Sequence, residues 1–152
     1  MQNLIKVLLL SDQMEDLLKL KNQICFPAYA FSRKLTGLYR PLLQELDLTY
    51  PQYLVMLVLW EEKTHTVNKL GEKLDLDSGT LTPMLKRLEQ KKFVNRVRSK
   101  TDERVVIISL TETGLQLKHR AKDIPNNLLK CLDVSIEELL QLKGMLNKIL
   151  TA

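Results

Sequence analysis

The 152-residue chain has only two cysteines, Cys25 and Cys131, too few for a disulfide-stapled scaffold. Five glycines and five prolines exclude a linker-rich or disordered protein, and with only 5% aromatic residues the core has to be mainly aliphatic. No apolar run of about 18 residues exists to span a bilayer, so no membrane partner is expected. The opening stretch MQNLIKVLLL is short, is interrupted by Lys6 and lacks a small-residue cleavage site, so it does not read as a signal peptide. The chain is expected in the cytoplasm, and Met14 offers an alternative start. Cys25, His65 and His119 lack zinc-site spacing, and both histidines are expected to be exposed, His65 in a loop and His119 beside Arg120. No Ser/His/Asp set, carboxylate pair or phosphate loop is present. Neither an enzyme nor a bound cofactor or metal is expected.

What is present is ordinary for one globular domain: 45% hydrophobic and 27% charged residues. A chain of this size buries roughly 70% of its unfolded surface. The charge is not spread evenly. Residues 86–104 hold eight bases, Lys86, Arg87, Lys91, Lys92, Arg96, Arg98, Lys100 and Arg104, against three acids, Glu89, Asp102 and Glu103. That window alone carries the whole formal net charge of +5. Such a patch is either a solvated face or the electrostatic footprint of a nucleic-acid binder, and the elements around it favour the second.

Residues 22–46 read as a long helix with Ile24, Ala28, Phe31, Leu35, Leu38, Leu42 and Leu46 along one stripe. Asn22 is its expected N-cap, Pro27 lies near its first turn and Pro41 near its far end. A very apolar helix follows over residues 50–62, with Pro51 in its first turn. Two short helices come next, about 66–74 and 77–91, joined tightly. In the second, Leu81, Met84, Leu85 and Leu88 face inward, and Ser78, Thr80, Thr82, Lys86 and Arg87 face outward. This is the helix-turn-helix pattern, in which small hydroxyls and bases on the second helix suit base edges and phosphates. Residues 93–98 and 105–110 alternate or run apolar around the turn-forming SKTDE, predicting a β-hairpin whose tip carries Arg98, Lys100 and Arg104. Helix resumes over 111–132, interrupted by Pro125, and a last helix over 135–150 starts from a capping box at Ser135 and Glu138. Its apolar residues exceed one stripe, which fits burial against a second chain. The expected fold is mainly α with a small β-hairpin. Residues 1–152 form a single chain with a winged helix-turn-helix region over 50–110 and helical dimerisation regions over 22–48 and 111–152.

The stretch DERVVIISLT, Asp102 to Thr111, resembles the wing signature of the MarR family of dimeric winged-helix repressors. QICFPAYA, LTYPQYLVMLVLWE and LDSGTLTPMLKRLE are similar to its organic-hydroperoxide-sensing, OhrR-type branch, and the resemblance spans about residues 20–125. It implies a homodimer that holds double-stranded, pseudo-palindromic operator DNA when reduced and releases it when an organic hydroperoxide or related oxidant reaches Cys25. It aligns Tyr39 and Tyr50 with tyrosines that bond the sensing sulfur across the subunit interface, and Tyr29 with a further aromatic. Asp77, Ser78, Thr80, Thr82 and Arg87 align with recognition-helix positions, Arg104 with the wing arginine, and Arg96 lies beside the wing. Cys131 resembles the distal cysteine of the two-cysteine forms, which closes an intersubunit disulfide. Pro27 departs from the pattern, standing where the family has a helix-compatible small residue.

A peroxide sensor needs a thiolate, and a helix first turn favours the anion at Cys25. Phe26, Phe31, Leu54 and Met56 are candidate walls of an apolar pocket around it. Two readings stay open for each cysteine: inert small hydrophobes, or a sensing and resolving pair. The alternative function is a regulator of the same family controlled by a non-covalent phenolic ligand.

Overall fold

The computed structural model describes residues 16–151. The opening MQNLIKVLLL stretch and Met14 lie outside the described residues. After a 3-10 turn at Leu20–Asn22, the elements are α1 (Cys25–Gln44), α2 (Tyr50–Glu61), β1 (Thr64–Thr66), α3 (Val67–Leu74), α4 (Ser78–Gln90), β2 (Val94–Arg98), β3 (Val106–Leu110), α5 (Glu112–Ala121), α6 (Ile124–Lys130) and α7 (Ile136–Leu150). Mainly helical, with a small antiparallel sheet, it is the winged helix-turn-helix architecture expected.

Most helix boundaries follow from capping chemistry. Thr66, Asp77, Thr111 and Ser135 each accept a backbone N–H three residues on, closing the open ends of α3, α4, α5 and α7. Pro125 starts α6 rather than breaking a longer helix from within. The start of α1 differs from expectation. Asn22 does not cap it, since its side-chain amide donates to the carbonyl of Asp16 and the helix begins three residues later at Cys25. Ile24 is consequently off the apolar stripe and 86% exposed. At its other end α1 stops in a left-handed turn at Asp47, φ 54°, where Leu48 N–H returns to the carbonyl of Leu43.

The hairpin is joined by a strand with no signal in the sequence. β1 pairs with β3, giving the order β1-β3-β2, with His65 opposite Ile108 and Arg96 opposite Ile108 from the other side. Three residues are too few to display an alternation. His65 is thus not an exposed loop residue: it is 5% exposed, on the edge strand β1, and its Nε2 lies 3.3 Å from a Glu62 carboxylate oxygen. His119 is exposed as expected.

The core lies between α2 and the winged elements, where Val55, Met56, Leu59, Leu70, Leu81, Leu85, Leu88, Val94 and Ile108 are sealed from solvent. Met56 belongs to this core, and Gln52, Tyr53, Val55, Leu59 and Trp60 of α2 are buried around it. It is therefore not a wall beside Cys25. Gly114 sets the approach of α5 to the wing, because a Cβ there would meet the Phe93 carbonyl oxygen at 2.0 Å. The same Gly114 accepts a 2.8 Å bond from the Trp60 indole, which ties α2 to the start of α5.

Candidate nucleic-acid interface and redox centre

α4 presents its outer face with Ser78, Thr80, Lys86 and Arg87 exposed and Thr82 half-buried. Its first turn is organised internally. The Asp77 carboxylate accepts from the Thr80 backbone N–H at 2.8 Å and from the Thr80 hydroxyl at 2.7 Å, and these bonds hold it below the usual carboxylate range. The Thr82 hydroxyl donates to the Ser78 carbonyl at 2.7 Å. Asp77 and Thr80 thus fix the helix start, and Lys86 and Arg87 are exposed cations of the face with no ion-pair partner among the described residues.

The wing continues the patch. Arg98, Lys100 and Arg104 are exposed around the tip. The Asp102 carboxylate accepts the Arg104 backbone N–H at 2.9 Å, which is the physical content of the Asp-x-Arg pair: the acid shapes the turn that aims the base. Arg96 is different. Its side chain is only 18% exposed and pairs with Glu89 of α4 at 3.2 Å, joining β2 to the end of the recognition helix. Between wing and helices lies a cleft of about 270 Å³ lined by Thr66, Asn68, Ser78, Thr82, Arg96 and Arg104. Thr66 and Asn68 escaped the sequence reading because nothing in the pattern brings the start of α3 beside the wing.

Of the basic run, Lys91 turns its side chain elsewhere, and Lys92 serves the turn through its backbone. Lys91 pairs with the Asp47 carboxylate at 2.9 Å and donates to its carbonyl, while Lys92 takes a left-handed backbone, φ 62°, and its carbonyl accepts the Thr111 hydroxyl at 2.6 Å.

The candidate redox residues fall into separate groups. Cys25 opens α1 and is exposed, as are Phe26 and Tyr29, with the Arg33 guanidinium 5.6 Å from the Tyr29 ring. Tyr39 and Tyr50 lie 4.8 Å apart between centroids with their rings tilted at 44°, and Tyr53 lies 5.8 Å from Tyr39. Burial first, then the neighbouring phenols, pushes the Tyr39 hydroxyl up to about 12, and burial raises Tyr50 as well. Both phenols therefore stay protonated near neutral pH and are hydrogen-bond donors. Fourteen residues of helix separate Cys25 from Tyr39, about 21 Å along α1. Within one chain the sulfur and the tyrosine pair cannot meet.

Cys131 caps α6, is exposed, and donates its S–H to the Asn127 carbonyl at 3.3 Å. The following Leu132, Asp133 and Val134 line a groove with Phe31, Lys34 and Leu35 of α1. Cys25 lies six residues before Phe31, about 9 Å further along the axis. Both cysteines are free thiols. Among the described residues no group of three His, Cys, Asp or Glu side chains could hold a metal ion, and no helix is long and apolar enough to cross a membrane.

A recognition helix with free cations, braced by a three-stranded wing carrying more of them, defines the class of winged-helix transcription regulators. Residues 37–121 match the family described as transcriptional regulator SarA/Rot. The chain is 56% identical over 135 residues to the organic hydroperoxide resistance transcriptional regulator of Bacillus subtilis (strain 168), covering 89% of this chain and 92% of that protein. Among solved structures it is similar to AbfR, a Staphylococcus epidermidis protein. In its reduced, DNA-bound form AbfR matches with a TM-score of 0.76 and 41% identity, over 92% of this chain and 93% of AbfR. In its disulfide form the TM-score is 0.61 and the identity 38%, over 93% and 99%. MarR of E. coli matches at 0.63 and 28%, over 84% and 97%. The chain belongs to the MarR family of winged-helix transcriptional regulators, in the organic-hydroperoxide-resistance branch. It is a regulator and not an enzyme.

Proposed function

We propose that the protein is a homodimeric, redox-sensing repressor that holds a pseudo-palindromic operator when reduced and releases it when Cys25 is oxidised. The observation that carries this reading is the separation of Cys25 from Tyr39 and Tyr50. An exposed thiol at a helix start and a pair of protonated phenols about 21 Å away in the same chain make a complete site only when a second copy supplies the missing half. The dimerisation regions are 22–48 and 111–152, and Cys25 of one subunit sits against Tyr39 and Tyr50 of the other. The phenol O–H groups donate to the sulfur and favour its thiolate. Phe26 and Tyr29 line the apolar approach.

The thiolate attacks the distal oxygen of an organic hydroperoxide, the O–O bond breaks, and the alkoxide leaves as the alcohol after taking a proton. Sulfur is oxidised by two electrons to a sulfenic acid. The thiol of Cys131 in the other subunit then displaces the hydroxyl as water and forms an intersubunit disulfide, which external thiols reverse. The 0.76 against 0.61 match to the reduced, DNA-bound and disulfide forms of AbfR supports reading the present conformation as the DNA-competent one. In that state two α4 helices enter successive major grooves about 34–36 Å apart, with Ser78, Thr80, Thr82, Lys86 and Arg87 towards the bases and Arg96, Arg98, Lys100 and Arg104 along the backbone or minor groove. Asp77 contributes by fixing the start of the helix.

The test is non-reducing electrophoresis before and after stoichiometric cumene hydroperoxide, with Cys25→Ser and Cys131→Ser as controls. A reversible dimer band lost in both variants supports the two-cysteine switch. Oxidation confined to Cys25, with no band, assigns a small thiol as the partner. A cavity of about 470 Å³ beside Tyr50, lined by Arg40 and Lys91 among others, favours one second reading, control by a non-covalent phenolic ligand. Failure of both cysteines to react would turn the assignment to it.

A further inference from the structure

The turn between α1 and α2 joins the helix that carries Cys25 and Tyr39 to the winged region. Its geometry is concentrated in one residue. Asp47 adopts φ 54°, its N–H bonds the Gln44 carbonyl, and the next N–H returns to Leu43. Tyr50, half of the phenol pair, begins α2 only three residues later. Lys91, the C-cap residue of the recognition helix, reaches this turn and binds it twice, through the Asp47 carboxylate at 2.9 Å and through the Asp47 carbonyl. A surface ion pair alone is a weak contact. Here the ammonium also engages the backbone of the residue that sets the turn, and the lysine side chain is largely covered, at 27% exposure.

The same turn borders an open space. Thr36, Arg40 and Gln44 of α1, Asp47 to Tyr50 of the turn, and Lys91 line this open cavity of about 470 Å³. A hinge needs room to close and a contact that fixes its angle, because packed elements otherwise move only between discrete arrangements. The cavity provides the first and Lys91 the second.

We infer that Lys91 and Asp47 are the coupling contact of the redox switch: they fix the recognition helix to the α1–α2 turn, so that a displacement at Tyr50 is delivered to α4. This rests on the redox reading above and adds to it the residues that transmit the signal. Lys91 is a positioning residue, since it touches neither the oxidant nor the sulfur. When the sulfur of the partner subunit leaves the phenols, the turn shifts, the ammonium carries the end of α4 with it, and the spacing of the two recognition helices changes. Without the contact α4 follows the turn less closely, and oxidation costs less DNA affinity.

The test measures the ratio of dissociation constants of the oxidised and reduced protein for a duplex selected from a random-sequence pool on the wild-type chain. Oxidation of Cys25 is followed in parallel by intact mass. Lys91→Met is expected to lower the oxidised-to-reduced ratio by about fivefold or more, with the rate of Cys25 oxidation unchanged. Lys91→Arg should retain the wild-type ratio, and Asp47→Asn, which tolerates the left-handed backbone and keeps the carbonyl contact, should lower it by less. Using the ratio cancels any general loss of DNA affinity from the missing charge, and Asp47→Asn tests the contact from the other side if Lys91→Met fails to fold. A wild-type ratio in Lys91→Met or, if that protein is unfolded, in Asp47→Asn overturns the coupling role and leaves the redox reading standing. Should the wild-type protein show a ratio of one after complete oxidation of Cys25, the redox reading falls and the coupling role with it.

Discussion

The winged region and the helical ends solve the problem of burial in opposite ways. In α4 alone Leu81, Leu85 and Leu88 are fully buried, and β2 and β3 add Val94 and Ile108. α7 is longer, at 15 residues, and buries none of them, leaving Ile136, Leu140, Met145, Leu146 and Ile149 exposed. α1 buries only Leu43 of its 20 residues. A single copy closes the core of the winged region and leaves the apolar side chains of the helical ends open. Large apolar side chains left exposed along both helices suit an interface, and the proposed homodimer would cover them.

The largest break in that contrast is expected in the open region. Leu140→Glu together with Leu146→Glu places two charges in the proposed interface and should yield a monomer by analytical ultracentrifugation, with operator affinity reduced more than a hundredfold because two half-sites are no longer held together. A dimer that persisted would relocate the interface. In the closed region Leu85→Ala should cost about 2–5 kcal/mol of unfolding free energy in urea, without altering the subunit mass of the native protein. Arg104→Ala touches neither core; it should weaken DNA binding about tenfold and lower the magnitude of the salt dependence by roughly one. An unchanged slope would remove the wing from the interface.

The smallest effect is expected at the α4 cap. Bonding to Thr80 lowers the Asp77 carboxyl in the folded protein relative to the unfolded chain. A lowered folded value means that the stabilisation is present above the ordinary carboxylate value of about 4 and is lost as pH falls through the folded value. The gap in thermal midpoint between the wild type and Asp77→Ala should thus be open at pH 7 and close on acidification below about pH 4. A gap that widened on acidification would contradict the sign.

Much of this contrast was legible in the residues. The apolar spacing of α4, the turn SKTDE and the capping box at Ser135 each encode their element locally, so the helix-turn-helix, the hairpin and α7 could be read from neighbours along the chain. β1 could not be, because Thr64–Thr66 is a strand only by virtue of β3, more than 40 positions later, and His65 is buried for the same reason. The start of α1 failed because Asn22 looked like a cap and its amide has another partner at Asp16. In the candidate site, the bases on α4 and the wing stood out as a run of charge. Nothing in that run distinguished Lys91, which folds back onto Asp47, or Arg96, which pairs with Glu89, from bases left free for phosphate. Pairing across 44 positions is a property of the fold, not of the spacing.

The bond from Trp60 to Gly114 also has a use in measurement. Trp60 is the only tryptophan of the chain, it is 7% exposed, and it lies at the junction of α2 and α5. Tyr53 stands 6.0 Å from it and Tyr39 5.8 Å beyond, so light absorbed by these phenols reaches a single indole by short-range energy transfer. A turn of α2 against α5 alters the hydrogen bond and the polarity around that indole. Under the proposed switch, its emission would follow the oxidation step in real time, in the unlabelled native protein.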